Sequence, residues 1–335
     1  MRLGFYMGYA PPGTNPTELV ALAQEAETLG YDSAWAAEAW GTDAATVLSW
    51  LAAITTTLKV GSAIFQIPAR TPTNTAMTAA TLDLMSGGRF LLGLGLSGPQ
   101  VVEGWHGEPW GKPITKMREY VEIVRAVLRR ETIEHQGAHY QVPYAGPNAT
   151  GLGKPLKLMA RPLRPDVPIY LAVFKPRSVE LAAEIADGWL PIFFSPERAR
   201  QTFPAPFARE DGFDIAPAVP AVAMDDVELA RDVLRPYYAL YVGGMGARGA
   251  NFYNDLVASY GFEAEAKQIQ DLFLDGKQRD AASAVPDALI DELALVGPPD
   301  RIRDRLAAWK DSGATTLLIS TRDPTTLRVV SEALS

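Results

Sequence analysis

The stretch Arg89–Trp105, RFLLGLGLSGPQVVEGW, limits the possible folds more than any other part of the chain. Arg89 to Leu92 is a short run of strand type. It stops in Gly93, Gly95 and Gly98, where the missing Cβ lets backbone approach a ligand closely. Just upstream, Thr81-Leu82-Asp83-Leu84-Met85-Ser86-Gly87-Gly88 predicts a helix closed by a glycine cap. The unit is helix, glycine stop, strand, then a glycine-rich loop at the strand's C-terminal end. In parallel α/β folds that end of the sheet is where ligands bind.

Strand and helix patterns alternate around this unit. Strands are expected at Arg2 to Met7, Ser33 to Ala37, Leu58 to Ile64, Phe90 to Gly95, Pro168 to Val173, Trp189 to Phe194, Ile215 to Met224 and Thr315 to Ser320. Helices are expected at Thr17 to Leu29, Asp43 to Thr55 (capped by Thr42 or Asp43), Pro72 to Leu84, Thr115 to Arg130, Ser178 to Ala186 and Asp300 to Ser312. Residues 9–13 read as a turn. Strands separated by helical patterns imply βαβ units and a parallel sheet, and eight of them favour a closed (β/α)8 TIM barrel. Two insertions interrupt the count. Residues 131–165, rich in Gly, Pro and Tyr, predict a hairpin and loop after the fourth strand. Residues 236–298 are mostly helical by pattern and follow the seventh. The expectation is one domain over 1–335.

Composition excludes several classes. A hydrophobic content of 47% with 21% charged residues fits a globular protein with a large core. No apolar run approaches the length of a membrane span, and no signal-peptide layout opens the chain, so a cytoplasmic location is the default. With no cysteine there is no disulfide, thiol nucleophile or cysteine-metal site. The net charge of −8 argues against nucleic acid and anionic membranes as partners.

Gly93-x-Gly95-x-x-Gly98 matches the dinucleotide fingerprint literally, with Glu119 near its acidic position. The fingerprint requires a helix opening on its last glycine. Here Pro99 follows, then a loop with Gly104, Gly107, Pro109, Gly111 and Pro113. The motif also sits after the fourth strand, so a Rossmann site is set aside. LDLMSGGRFLLGLGLSGPQVVEGWHG instead resembles the signature of the luciferase-like monooxygenase superfamily, in the branch that uses the deazaflavin coenzyme F420, close to methylene-tetrahydromethanopterin reductase. The resemblance covers nearly the whole chain. It implies a TIM barrel, an F420-dependent oxidoreductase, and a homodimer. An FMN-dependent monooxygenase and a non-catalytic deazaflavin-binding protein are the alternatives.

Glu38 stands at the end of the second strand, in SAWAAEAW, as a candidate catalytic carboxylate. It could equally cap a helix or pair with an arginine. By resemblance, Glu38-Ala39 replaces an Asp-His pair, so the histidine that some relatives use as acid or base is absent. The resemblance also implies a non-prolyl cis bond at Ala63–Ile64, with Ala63, Ile64 and Phe65 forming a bulge beneath the deazaflavin ring. Gly95, Ser97 and Gly98 of the central loop complete that cofactor site. At the fifth strand, Ala172-Val173-Phe174-Lys175-Pro176-Arg177 runs into a helix whose N-terminus suits a phosphate, with Lys175 and Arg177 adding charge. Relatives usually have glycine where Lys175 stands. Trp40, Gln66 and His106 are candidate substrate contacts, with Arg70 near the same rim. Glu134 to Tyr140 places His135 and His139 at i and i+4, as a zinc helix would. Gly137 and the following Tyr140-Gln141-Val142-Pro143 point to a hairpin instead, with no metal. No GxSxG motif supports hydrolysis.

Overall fold

A computed structural model describes residues 1–8 and 15–334; the turn expected at 9–13 lies outside them. The chain forms two compact units. One comprises Met7–Glu27 and Asp32–Leu190; the other comprises Met1–Tyr6, Thr28–Tyr31 and Pro191–Ser335.

In chain order up to Leu190 the elements are β1 (Arg2–Gly8), α1 (Pro16–Thr28), β2 (Ser33–Ala36), α2 (Ala44–Ile54), β3 (Lys59–Ser62), β4 (Phe65–Gln66), α3 (Pro72–Met85), β5 (Phe90–Gly95), α4 (Pro99–Gly104), α5 (Pro113–Leu128), β6 (His135–Gln136), β7 (Gln141–Val142), β8 (Ile169–Leu171), α6 (Pro176–Ile185) and β9 (Gly188–Trp189). In the first unit β2 pairs with β3, β3 and β4 with β5, β5 with β8, and β8 with β9, all in parallel. Every residue of β2 and β5 is buried, as expected where both faces of a parallel sheet are covered. Side-chain size sets the strand spacing here. A Cβ at Gly61 would collide with the Trp35 indole, and one at Gly93 with the Ser62 carbonyl. Ser62, fully buried, exploits that close approach. Its hydroxyl donates to the Gly93 carbonyl at 2.8 Å and accepts the Gly93 N–H at 2.9 Å.

The helix starts follow the sequence signals. Asp43 caps α2 by accepting the Thr46 N–H at 2.7 Å, and Thr71 caps α3 ahead of Pro72. One expectation is corrected. A six-residue helix, α4, opens directly on Gly98, where a loop was predicted. Pro99 starts this helix, because at the first helical position its missing N–H costs nothing and its fixed φ helps. The hairpin predicted in 131–165 is present as β6 and β7, with His135 opposite Val142. It is anchored by Glu119, which accepts the N–H groups of Ala138, His139 and Tyr140 at 2.8, 2.9 and 3.0 Å. Glu119 is thus a turn anchor rather than a ribose ligand.

The second unit adds α7 (Ala199–Thr202), α8 (Pro204–Phe207), β10 (Asp214–Ile215), β11 (Ala218–Ala223), α9 (Val227–Ala239), α10 (Phe252–Ser259), α11 (Glu263–Leu274), α12 (Gln278–Ser283), α13 (Asp287–Leu293), β12 (Leu295–Gly297), α14 (Pro299–Asp311), β13 (Thr316–Ser320) and α15 (Pro324–Leu334). Here β1 pairs with β13, β13 with β11, and β11 with β12, again in parallel. Three expectations change. The strand predicted over Trp189 to Phe194 is only Gly188–Trp189, and Phe193 beyond it has φ +55°. The strand predicted over Ile215 to Met224 breaks at Ala216-Pro217, where the proline has no N–H for a ladder. The largely helical segment 236–298 ends in a strand, β12, that its pattern did not announce. Among the described residues no helix is long and apolar enough to cross a membrane.

Candidate functional site

Most predicted site residues lie at strand ends of the first unit, and Glu38 joins three of its segments. One carboxylate oxygen accepts the Gln66 N–H at 3.1 Å and the Arg70 guanidinium; the other accepts the Ala44 N–H at 3.2 Å, at the start of α2. The Glu38 side chain is 7% exposed and that of Arg70 is 13%. Both structural roles open to it in the sequence, helix cap and arginine partner, are realised together. Arg70 also reaches Asp43 at 2.7 Å and lies over the Phe65 ring, 4.7 Å from its centroid. Burial works to raise the Asp43 carboxyl. The Thr46 hydroxyl and N–H, and then Arg70, outweigh it and hold Asp43 below the usual aspartate range.

The chain of contacts continues from Gln66. Its side-chain oxygen is 2.9 Å from His106 Nε2, so α2, β4 and the segment after α4 are linked through Glu38. On the other side the Tyr120 hydroxyl donates to the Arg70 carbonyl at 3.2 Å and pairs with the Thr75 hydroxyl at 2.5 Å; burial pushes its pKa up. Trp40, two residues beyond Glu38, is half exposed at 52%. Sequence reading placed Glu38, Gln66, Arg70 and His106 near one rim. It did not find that Arg70 is the residue joining Glu38 to Asp43.

Next to this polar cluster the backbone forms a floor. The Ala63–Ile64 bond is cis, as the resemblance implied. A Cβ at Gly95 would strike Ile64 Cδ1 and come within 3.4 Å of the Ala172 carbonyl, so the ends of three strands converge on this glycine. Phe65 is fully buried, 6.2 Å from the Phe90 ring, and supports the floor from within. Ser97 has φ +63°, while Gly98 caps α4 and a Cβ there would meet only the Gln100 side chain, at 3.4 Å. Beyond Ala172, Val173 is buried and its carbonyl accepts the Trp189 indole N–H at 2.7 Å. Phe174 is half-buried. Lys175 caps α6, Pro176 opens it, and Lys175 and Arg177 are exposed. His135 and His139 stay in the hairpin, and among the described residues no group of three or more His, Asp or Glu side chains is placed to hold a metal ion.

The sequence model of the luciferase-like monooxygenase family matches residues 1–316. The chain belongs to that family. Among luciferase-like proteins it is 44% identical, over 96% of its length and 95% of the other's, to a Mycobacterium tuberculosis protein assigned by inference to the coenzyme F420-dependent oxidoreductases. It is 28% identical to the 5,10-methylenetetrahydromethanopterin reductase of Archaeoglobus fulgidus, over 89% of this chain and 87% of that one. The solved structure of the coenzyme F420-dependent tetrahydromethanopterin reductase of Methanopyrus kandleri superposes with a TM-score of 0.78, at 22% identity, over 99% and 97% of the two chains. This luciferase-like chain therefore shares the parallel α/β fold of that reductase.

Proposed function

We propose that this chain is an F420-dependent oxidoreductase that moves a hydride between the deazaflavin coenzyme and a small organic substrate. The observation that carries the reading is the floor where Ile64, Gly95 and Ala172 meet with no room for a Cβ, beside a helix start bearing Lys175 and Arg177. A flat ring lies against such a floor, and a phosphorylated tail suits cations at a helix N-terminus. The residues present therefore fit the coenzyme. When bound, the deazaflavin supplies the redox step, because its ring donates or accepts a hydride.

The chain's own residues bind and orient. Ala63, Ile64 and Phe65 make the ring floor, Gly95, Ser97 and Gly98 leave room beside it, and Ala172 to Lys175 with Arg177 hold the tail. Glu38 acts as a positioning residue. Its carboxylate is saturated by the Arg70 guanidinium and the Ala44 and Gln66 N–H groups, so it fixes the rim rather than trading protons. Trp40, Gln66 and His106 face the substrate. With Ala39 after Glu38, the imidazole of this rim is His106, whose Nε2 lies 2.9 Å from the Gln66 side-chain oxygen.

The same reading makes 1–335 one luciferase-like (β/α)8 domain, with insertions at 131–165 and 236–298, and makes the protein a cytoplasmic homodimer. The test is titration of the protein with oxidised F420 and with FMN. Quenching of Trp fluorescence by F420 at micromolar concentration, and loss of reduced F420 absorbance with a carbonyl substrate panel, are the expected results. FMN binding with oxygen consumption would replace the reading with a monooxygenase. Stoichiometric F420 binding without turnover across the panel would leave only a coenzyme-binding protein.

A further inference from the structure

The start of α5 breaks the rules that stabilise a helix start. It has no acid in its first turn and no side-chain cap, since Lys112 stands at the cap position and Pro113 follows. The Lys116 N–H bonds the Lys112 carbonyl at 3.0 Å, while the N–H groups of Ile114 and Thr115 meet no acceptor among the described residues. Two cations, Lys112 and Lys116, stand four residues apart on one face of this end. Like charges at that spacing repel, and both face the positive end of the helix dipole. Lys112 is exposed, but Lys116 is only 9% exposed. A lysine is rarely buried that far without a counter-charge. Among the described residues Lys116 has neither an ion pair nor a side-chain hydrogen bond. The acid best placed on its own helix, Glu119, is taken up by the hairpin N–H groups, and Arg118 pairs with Glu184 on α6. Glu103 and Glu108, on the chain just before α5, are exposed and pair with neither lysine. Helical side chains slant towards the N-terminus, so Lys116 leans over the uncapped turn. That turn lies beside the rim. One turn further along the same face the Tyr120 hydroxyl reaches the Arg70 carbonyl at 3.2 Å, and residues 107–111 join Lys112 to His106.

We propose that the start of α5 is an anion site that holds a carboxylate or phosphate group of the substrate. Lys116 and Lys112 supply the charge. The Ile114 and Thr115 N–H groups and the exposed Thr115 hydroxyl supply the hydrogen bonds. An anion there provides everything this helix start lacks: a partner for the buried ammonium, an acceptor for two N–H groups, and the sign of charge that the dipole favours. A helix start that departs from each local rule at once, with nothing in the chain to compensate, is what a binding site leaves behind when its ligand is absent. The assignment to the substrate rests on the reading given above, in which the coenzyme tail lies at the start of α6. It narrows the substrate to a molecule with an anionic group set apart from the carbon that exchanges the hydride.

The first arm of the experiment needs neither coenzyme nor turnover. Thermal unfolding of the full chain is followed as inorganic phosphate replaces chloride at constant ionic strength, in a parent carrying Lys175→Ser and Arg177→Ser so that α6 does not contribute. Saturable stabilisation by phosphate is expected. Lys116→Met should abolish it, and without phosphate should melt no lower than the parent, because no buried partner is stranded. A lysine with a purely structural role would give the reverse, a lower melting temperature with the phosphate response kept, and that result overturns the site. The second arm uses Lys116→Met in the otherwise unchanged chain. Its F420 affinity should stay within about twofold, and its KM should rise about tenfold more for carboxylate-bearing carbonyl compounds than for uncharged ones. Equal changes for both substrate classes, or a tenfold loss of F420 affinity, overturn the assignment to the substrate. A chain without F420 turnover defeats the earlier reading alone, because the phosphate arm still decides the site.

Discussion

Replacing Arg70 with methionine isolates the pair on which the rim is built. The substitution keeps much of the side-chain volume and removes the guanidinium that Glu38, Asp43 and the Phe65 ring share. Asp43 is half exposed, so its loss costs about 0–1 kcal/mol. The contact over Phe65 adds about 0.5–1 kcal/mol. The main effect falls on Glu38, 7% exposed, which keeps only the Ala44 and Gln66 N–H donors at 3.2 and 3.1 Å. Stranding a buried charge costs about 3–5 kcal/mol, and the two remaining donors place this case near the lower end. We expect Arg70→Met to lose about 3–4 kcal/mol in urea unfolding followed by circular dichroism at pH 7. Adding Glu38→Gln should recover a substantial part, giving a coupling of about 2 kcal/mol in the double-mutant cycle. A loss below about 1 kcal/mol, or a double variant additive to within about 0.5 kcal/mol, would refute a buried pair at the centre of the rim.

Further predictions concern the same unit. Glu38→Gln should reduce turnover more than F420 affinity, because the rim loosens while the ring floor stays; the reverse order by fluorescence titration would make Glu38 a coenzyme ligand. Gly98→Val should fold with unchanged melting temperature and lose F420 binding, whereas Gly93→Ala should destabilise by about 3 kcal/mol, since its Cβ would run into the Ser62 backbone. Burial opposes ionisation of Glu27, but the N–H groups of Thr57, Leu58 and Thr56 and the Thr57 hydroxyl hold its carboxyl down to about 2. A pKa lowered on folding stabilises above the unfolded value of 4.5, and the benefit fades as the pH falls from there to about 2. Glu27→Ala should therefore cost about 1–3 kcal/mol at pH 7 and progressively less below pH 4.5. A deficit that stays constant through that range would detach the carboxylate from the effect.

Periodicity carried the fold a long way. Phe90–Gly95, Pro72 as a helix start, Asp43 as a cap and the hairpin around Gly137 all stand where local chemistry puts them. Each is decided within a few residues, so a window of sequence contains the cause. The misses share a different origin. Pro99 and Pro217 were both visible, but whether a proline starts a helix or splits a strand depends on what the neighbouring backbone can accept. The strand Leu295–Gly297 is short and sits in a helical stretch, and only its pairing with Ala221–Ala223 makes it a strand. The Ala63–Ile64 bond left no trace in composition or spacing and was reachable only through resemblance.

The carboxylates show most clearly where a sequence stops being informative. Glu27 takes three backbone N–H groups from the turn at residues 56–58, Glu119 takes three from the hairpin at residues 138–140, and Glu38 takes one from α2 and one from Gln66. In each case a side chain on one element satisfies the donors of a loop that turns too tightly to pair with itself. A buried carboxylate with several donors is stabilised as an anion and makes a poor proton carrier. Read alone, an acidic residue at a strand end looks like an acid or a base; read with its donors, it is a clasp. His106 joins this network one step further out: its Nε2 lies 2.9 Å from the Gln66 side-chain oxygen, and the Gln66 N–H is in turn held by Glu38.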